Sequence, residues 1–175
     1  AEAMAPVVLW IDELEKALGQ EGGDAEGALN RRLFGAFLTW LQEKTAEVFV
    51  VATANDLFRL PPELLRKGRF DEIFFVDLPE APERERIFKI HLELHKQDPQ
   101  AFDLNALSLA ATGFSGAEIE QVTIASLYRA LYLKQALTMD LLLEEMRQTI
   151  PLSVSRREDV EQLRALARDR FVSVR

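Results

Sequence analysis

Three short apolar runs constrain the fold most, because all of them lie within the first 80 residues. They cover residues 7–11 (VVLWI), 47–55 (EVFVVATAN) and 72–79 (EIFFVDLP). Runs this short and this rich in β-branched and aromatic residues are typical of strands buried on both faces of a sheet. Between the first two runs, apolar residues recur at helical spacing at Leu29, Leu33, Phe37 and Leu41. A helix between two strands indicates a parallel sheet.

The chain changes character after residue 80, where strand-like runs stop and helix signals follow one another. Pro82 suits the first turn of a helix, and Asp103 and Thr138 suit helix N-caps. The tetrapeptides at 115–118 (SGAE) and 155–158 (SRRE) have the form of capping boxes. The sequence therefore predicts two domains, a mixed α/β domain over residues 1–80 and an all-helical domain over residues 81–175.

Composition limits the chemistry and the partners. The 175-residue chain has no cysteine and two histidines, which excludes disulfides and disfavours a structural zinc site. A net charge of −8 disfavours nucleic-acid binding, because a phosphate backbone would be repelled. The N-terminal residues carry no basic leader, and no apolar run reaches the roughly 18 residues of a membrane-spanning helix. We expect a cytoplasmic or similar reducing compartment and no membrane partner.

Polar residues follow two of the predicted strands. Asp12 and Glu13 come directly after the first run, and Asn55 ends the second. Ligands of parallel sheets bind at the carboxyl ends of the strands, where an aspartate can hold Mg²⁺ and a glutamate can activate water. Alternatively, the two acids cap the strand and begin a helix, and the asparagine begins a turn with Asp56. Taken alone, these residues leave both interpretations open.

Two arginines, Arg66 and Arg69, stand three positions apart just before the third run. Guanidinium groups match the geometry of phosphate oxygens, so a pair without a shared acidic partner suits a phosphate ligand. The alternative is that they are solvated loop residues, or that they pair with Asp71 or Glu72.

The order of these elements resembles the AAA subgroup of the AAA+ ATPases. The shared order is an apolar strand with Asp-Glu, a helix, a strand ending in Asn, Pro-Glu-Leu-Leu, and Arg-Lys-Gly-Arg-Phe-Asp. The spacing matches too, with 11 positions from Asn55 to Arg66 and three from Arg66 to Arg69. The resemblance covers about residues 7–140. The amino-acid sequence of these elements is most similar to a little-characterised AAA group of cyanobacteria and plastids.

This resemblance implies an incomplete P-loop NTPase core with a parallel sheet, followed by an all-α lid, and it implies ATP and Mg²⁺ as ligands. Asp12 would serve Mg²⁺, Glu13 would activate water, and Asn55 would be the first sensor of the γ-phosphate. Arg66 and Arg69 would be arginine fingers that reach ATP bound to the adjacent protomer of a ring.

The resemblance extends into the helical part, where it implies further nucleotide-binding residues. His91, in KIHLEL, would lie near the adenine or ribose, although a partly buried helix histidine fits it equally well. Gly116 and Ala117 stand where many AAA+ relatives have a sensor arginine, and the AAA subgroup has Gly-Ala there. The family also implies a homo-hexameric ring that acts on proteins or protein complexes.

One element of the family is missing from these residues. The phosphate-binding loop G-x-x-x-x-G-K-[ST] should precede the Asp-Glu strand, and the chain contains no Gly-Lys-Ser/Thr. We expect these 175 residues to lack ATPase activity by themselves. The chain is then either the C-terminal part of an ATPase module or a non-catalytic assembly and interaction module. Without the phosphate-loop strand between them, the second and third strands would both expose an edge. We expect these residues either to pair the core strands in a non-native way, for instance with another copy, or to depend on the helical part for stability.

Overall fold

The structure, a computed structural model, describes residues 1–18, 24–66, 68–168 and 170–174. The chain divides into two compact units, unit 1 (Ala1–Ile73) and unit 2 (Phe74–Arg175). Each unit has a hydrophobic cluster of its own. The described part of the chain contains no helix that is both long enough and apolar enough to cross a bilayer.

Unit 1 is built on a two-stranded parallel sheet. Its strands and α-helices, in chain order, are β1 (Val7–Ile11), α1 (Leu14–Leu18), α2 (Asp24–Glu43) and β2 (Val48–Ala52). The register of the sheet runs from Val7 opposite Val48 to Ile11 opposite Ala52. The predicted parallel pairing of the first two strands, with helix between them, is confirmed.

One face of this sheet is exposed, so the prediction that both faces are buried is wrong. Val8 and Trp10 are each 63% exposed, and Phe49 is 68% exposed. The other face packs against the core of unit 1, whose buried members are Leu14, Leu41, Leu60 and Leu64. The physical reason is that the helices described in unit 1 cover a two-stranded sheet from one side only.

Helix α2 begins earlier than the glycine-rich sequence before it suggests. The stretch 19–27 (GQEGGDAEG) predicts a polar loop, but α2 already begins at Asp24. The remaining positions, 19–23, lie outside the described residues. Further along the helix, apolar residues at the predicted spacing reach the core, among them Phe37 and Leu41.

Unit 2 is mainly helical, as the sequence predicts. Its strands and α-helices are β3 (Phe74–Phe75), α3 (Ala81–Leu94), α4 (Leu104–Ala110), α5 (Gly116–Tyr132), α6 (Met139–Gln148), α7 (Leu152–Ser155), α8 (Arg157–Arg168) and β4 (Val172–Ser173). Helix α3 packs against α4 and α5, and α5 packs against α6. The core between these helices includes the fully buried side chains of Phe88, Leu92, Leu107, Ile119 and Leu142.

Most of the predicted helix starts are confirmed. Asp103 accepts a hydrogen bond from Ala106 N at the start of α4, and Thr138 caps α6 in the same way. Ser115 and Glu118 form a complete capping box at the start of α5. These signals are local, since cap and helix lie within four residues of one another, which explains why the sequence reveals them.

The second capping-box match, at 155–158, is wrong. Ser155 is the last residue of α7, and its hydroxyl donates to the Pro151 carbonyl at 3.3 Å. Arg156 therefore separates α7 from α8. Pro151 begins a short helix that includes Ser155, so the serine is already helical and does not act as an N-cap.

The predicted third strand is wrong in length. Only Phe74–Phe75 of residues 72–79 forms strand, and it pairs in parallel with Val172–Ser173. Next to this pair, Arg164 Nε donates to both oxygens of Asp77, at 2.9 and 2.8 Å. Both strands of this pair belong to unit 2. The expected dependence of the chain on its helical part or on another copy stays a prediction.

Candidate functional site

The site forms where β1 and β2 end, because the carboxyl ends of parallel strands meet at one edge of a sheet. The backbone pairing continues one step beyond both strands. The Thr53 N–H donates to the Ile11 carbonyl at 2.9 Å, and the Leu14 N–H donates to the Thr53 carbonyl at 2.8 Å. The predicted site residues at this edge are Asp12, Glu13 and Asn55.

Side chains at this edge form a hydrogen-bonded cluster. Asn55 Nδ2 donates to Glu13 Oε1 at 3.3 Å. The Thr53 hydroxyl donates to Asp12 Oδ1 at 2.5 Å and accepts the Glu13 N–H at 3.1 Å. The structure thus brings together three residues that the sequence analysis selected from two separate strands.

The backbone at Glu13 is unusual. Its φ of 49° lies in the left-handed region, which a non-glycine residue adopts at a cost of about 1–3 kcal/mol. The Glu13 side chain is also held, because Lys16 Nζ lies 2.6 Å from Oε2. The hydrogen bond to Glu13 and the charge of that carboxylate raise the pKa of Lys16 above its ordinary value. The turn therefore fixes the carboxylate in a defined position.

A buried carboxylate, Glu15, contacts the backbone of the cluster. Its Oε1 accepts the backbone N–H of Asn55 at 3.1 Å. Its Oε2 is buried and meets no hydrogen-bond partner among the described residues. An unpaired buried carboxylate oxygen is unfavourable. The surrounding fold must therefore offset the cost of burying Glu15.

Sequence reasoning missed Thr53 and Glu15. A signal for Thr53 was available, because the parallel register that pairs Ile11 with Ala52 places the next residues, Asp12 and Thr53, opposite each other. Glu15 gave no comparable signal. In the sequence ELEK it has the pattern of an exposed helix charge, and only the packing buries it.

The donor groups of the cluster fit a magnesium ion that arrives with a phosphate ligand. Mg²⁺ at phosphate sites usually takes one or two carboxylates and completes its shell with water and phosphate oxygens. Asp12 offers one exposed carboxylate at the strand ends. No group of three or more ligating side chains that would hold a metal ion is found in the described residues.

The two predicted arginine fingers have no acidic partner among the residues that the structure describes. Arg66 is exposed, and Arg69 is half-buried with Nη1 buried and without a described hydrogen-bond acceptor. Their alternative pairing with Asp71 or Glu72 does not form. Between them, Gly68 has a φ of 88°, a backbone conformation that favours glycine.

The other three predicted residues lie on the packed helices α3 and α5 of unit 2. His91 is half-buried on α3, and its Nδ1 lies 3.8 Å from Glu120 Oε1, too far for a hydrogen bond. Gly116 is the first residue of α5, where a Cβ would lie 3.7 Å from Ile87 Cδ1, and Ala117 beside it is exposed. Nδ1 of the histidine is buried and has no hydrogen-bond partner in the described part of the chain.

Comparison with known proteins gives a consistent result. Residues 1–78 match the model of the family described as "ATPase family associated with various cellular activities (AAA)". The chain is 46% identical over 170 residues to "Uncharacterized AAA domain-containing protein ycf46" of Pyropia yezoensis, a match that covers 97% of the chain and 35% of the relative. The protein of the same name from Guillardia theta is 42% identical over 164 residues, 93% of the chain and 32% of the relative.

A relative with a different name also matches. "Cell division cycle protein 48 homolog" of Archaeoglobus fulgidus is 35% identical over 126 residues, 70% of the chain and 17% of the relative. The chain spans about a third of the length of the two ycf46 relatives. These matches show that the chain belongs to the AAA family of ATPases.

Proposed function

We propose that this chain supplies the metal-holding, water-activating and phosphate-sensing residues of a ring-forming AAA+ ATPase. The observation that carries the proposal is the cluster at the ends of β1 and β2. There the Asn55 amide donates to the Glu13 carboxylate, and the Asp12 carboxylate lies beside them, tied through Thr53. A structural cap would need none of these bonds between strands.

Each member of the cluster has a distinct role in this proposal. Asp12 would hold the magnesium ion, which supplies charge neutralisation when it is bound with ATP. Glu13 accepts a proton from the water that attacks the terminal phosphate, as a general base. Asn55 orients that water or the phosphate through its amide, which adds no charge of its own.

The arginines complete the reaction from a neighbouring subunit. Arg66 and Arg69 keep their positive charge without a described acidic partner, so a phosphate group is the partner that their chemistry favours. Arginine fingers in related phosphoryl-transfer systems raise the rate by about 10³–10⁵. The proposed assembly is a homo-hexameric ring that remodels a protein substrate in the cytoplasm or the plastid stroma.

Residues of unit 2 would contact the nucleotide. The buried Nδ1 of His91, which lacks a described partner, suits a hydrogen bond to the base or ribose. Gly116 and Ala117 offer a helix start with small side chains, which allows close approach of a ligand. We propose that unit 2 serves as the lid of the module.

The direct test of the catalytic role uses Glu13→Gln in the full-length gene product that contains residues 1–175. ATP binding should persist, and turnover should fall by about a hundredfold or more, because the general base is lost while the shape is kept. Glu43→Gln, on the last turn of α2, is the control and should retain the full rate. An unchanged rate in Glu13→Gln would remove Glu13 from the mechanism.

The test of the fingers uses subunit mixing. Arg66→Ala should abolish turnover in a uniform ring while leaving ATP bound. Rings mixed from Arg66→Ala and Glu13→Gln subunits should regain part of the activity, since some interfaces then combine an intact base with an intact finger. Mixed rings that stay inactive at every ratio would argue against action between subunits.

A second candidate, a non-catalytic assembly module, is favoured by one observation. The 175 residues contain no Gly-Lys-Ser/Thr sequence to hold the β- and γ-phosphates. Calorimetric titration of the isolated 175-residue chain with Mg²⁺–ATP should therefore show no tight binding. Tight, Mg²⁺-dependent binding to this chain alone would contradict the need for a separate phosphate loop.

A further inference from the structure

We infer that Thr53 is a positioning residue that fixes both the Asp12 carboxylate and the turn at Glu13. The inference rests on the proposed function, because it assigns Thr53 a role toward the two proposed catalytic acids. In this inference Thr53 acts through its two neighbours, which its hydroxyl contacts directly.

The contacts of Thr53 place it between the two acids. Its backbone is held from both sides, by the Ile11 carbonyl at 2.9 Å and by the Leu14 N–H at 2.8 Å. Its hydroxyl then reaches Asp12 Oδ1 at 2.5 Å and the Glu13 N–H at 3.1 Å. A single side chain thereby connects the end of β2 to two consecutive residues after β1.

The Thr53 hydroxyl acts as donor and as acceptor at the same time. A hydroxyl has a single proton to donate, and here that proton points to Asp12, while an oxygen lone pair accepts the amide of Glu13. Threonine is also β-branched, so its χ1 is stiff and the hydroxyl is directed without much loss of rotational freedom. Valine has the same shape and can make neither bond, and serine keeps the hydroxyl without the methyl group.

Both acids need this support for a physical reason. Asp12 is exposed, so its carboxylate would otherwise rotate freely in solvent and would lose part of its orientation toward a cation. Glu13 holds a left-handed φ of 49°, and its N–H is satisfied by Thr53 in that conformation. Removing the hydroxyl should therefore loosen the metal-holding residue and the base together.

The first experiment measures hydrogen exchange of the Glu13 amide in the 175-residue chain, which needs no catalytic activity. Thr53→Val should speed exchange of this amide by about tenfold, the factor that corresponds to about 1.4 kcal/mol. Thr53→Ser should exchange at nearly the original rate. Thr39→Val is the matched control, because the Thr39 hydroxyl donates to Gly35 O within α2, away from the site. Equal Glu13 exchange in Thr53→Val and the original chain would overturn the inference.

The second experiment measures the Mg²⁺ concentration that gives half-maximal ATP hydrolysis in the full-length gene product. Thr53→Val should raise this concentration by about tenfold, Thr53→Ser should restore most of the original value, and Thr39→Val should leave it unchanged. An active protein whose Mg²⁺ requirement is the same in Thr53→Val overturns the positioning role. Absence of hydrolysis in the original protein instead overturns the proposed function, and the exchange experiment still decides the role of Thr53.

Discussion

The two units of the chain differ in how completely they bury their apolar residues. Unit 2 encloses a continuous core in which Phe88, Leu92 and Leu142 are fully buried between packed helices. Unit 1 has a smaller buried cluster, and its sheet turns Trp10 and Phe49 to solvent on one face. The comparison teaches that the larger core and the proposed chemistry are separated, because the carboxylates proposed to be catalytic lie on the unit with the smaller core.

Two arginines show the same difference in polar terms. In unit 2, Arg84 is buried and donates to the carbonyls of Ser108, at 2.9 Å, and Pro79, at 2.6 Å. In unit 1, Arg69 has a buried Nη1 without a described acceptor. An arginine whose donors are satisfied inside the fold serves structure, whereas one whose donors are unsatisfied is available to a ligand.

Two spectroscopic signals allow the two units to be followed separately. Both tryptophans, Trp10 and Trp40, lie in unit 1, and both tyrosines, Tyr128 and Tyr132, lie in unit 2. Tryptophan fluorescence therefore reports on unit 1 during urea unfolding. Both tyrosines are already largely exposed in the fold, so helical circular dichroism is the better signal for unit 2, which contains most of the described helical residues.

The largest expected effect comes from the core of unit 2. Leu92→Ala should lower the free energy of unfolding by about 2–5 kcal/mol, because it leaves a cavity among packed helices. Leu94→Ala is the matched control, on the same helix but largely exposed, and should change it by less than about 0.5 kcal/mol. The circular dichroism signal should show this difference. Equal effects of the two substitutions would contradict the burial described for α3.

The next effect compares the two arginines. Arg84→Met keeps much of the apolar stem but removes two donors, and should destabilise unit 2 by about 2–3 kcal/mol in urea unfolding. Arg69→Met should change the stability of unit 1 by less than about 0.5 kcal/mol. A large loss in Arg69→Met would mean that this arginine has a structural partner and would weaken its assignment as a finger.

A smaller effect is expected when the same valine-to-threonine change is made on each face of the sheet. Val48→Thr places a hydroxyl in the core and should destabilise unit 1 by about 1–2 kcal/mol, as followed by tryptophan fluorescence. Val8→Thr makes the same change on the exposed face and should cost less than about 0.5 kcal/mol. If Val8→Thr were as costly as Val48→Thr, the exposed face would have to be covered in solution.

The smallest effect concerns the charge pair at the site. Glu13 raises the pKa of Lys16, so the contribution of this exposed pair to stability is complete at neutral pH. It is lost as the pH rises above about 10, through the raised pKa of the folded state. Glu13→Gln should return the pKa of Lys16 towards its ordinary value, which an NMR titration of the lysine Cε would detect. Glu43→Gln should leave that titration unchanged.

What the sequence predicted well is what depends on near neighbours. The strands at 7–11 and 48–52 and the caps at Asp103 and Thr138 follow from local residue patterns. Asp12, Glu13 and Asn55 came together because parallel strands end at a common edge. The sequence pattern therefore predicted that these three side chains lie at one edge of the sheet.

What the sequence did not predict depends on distant packing. The burial of a strand face is decided by what covers it, and nothing in VVLWI distinguishes a covered face from an open one. The partner of Phe74–Phe75 lies about 100 residues later in the chain, at Val172–Ser173. Glu15 was missed for the same reason, because its burial arises from packing and from the backbone of Asn55.

The pairing of β3 with β4 brings two distant segments of unit 2 side by side. Its first and last described strands run side by side, and Arg164 ties α8 to Asp77 at the same end. The chain therefore enters unit 2 and completes its last described strand on the same side of the unit. A linker of a few residues would suffice to join these two strands into a circular chain. A module with adjoining termini can be spliced into a surface loop of a host protein without stretching that host apart.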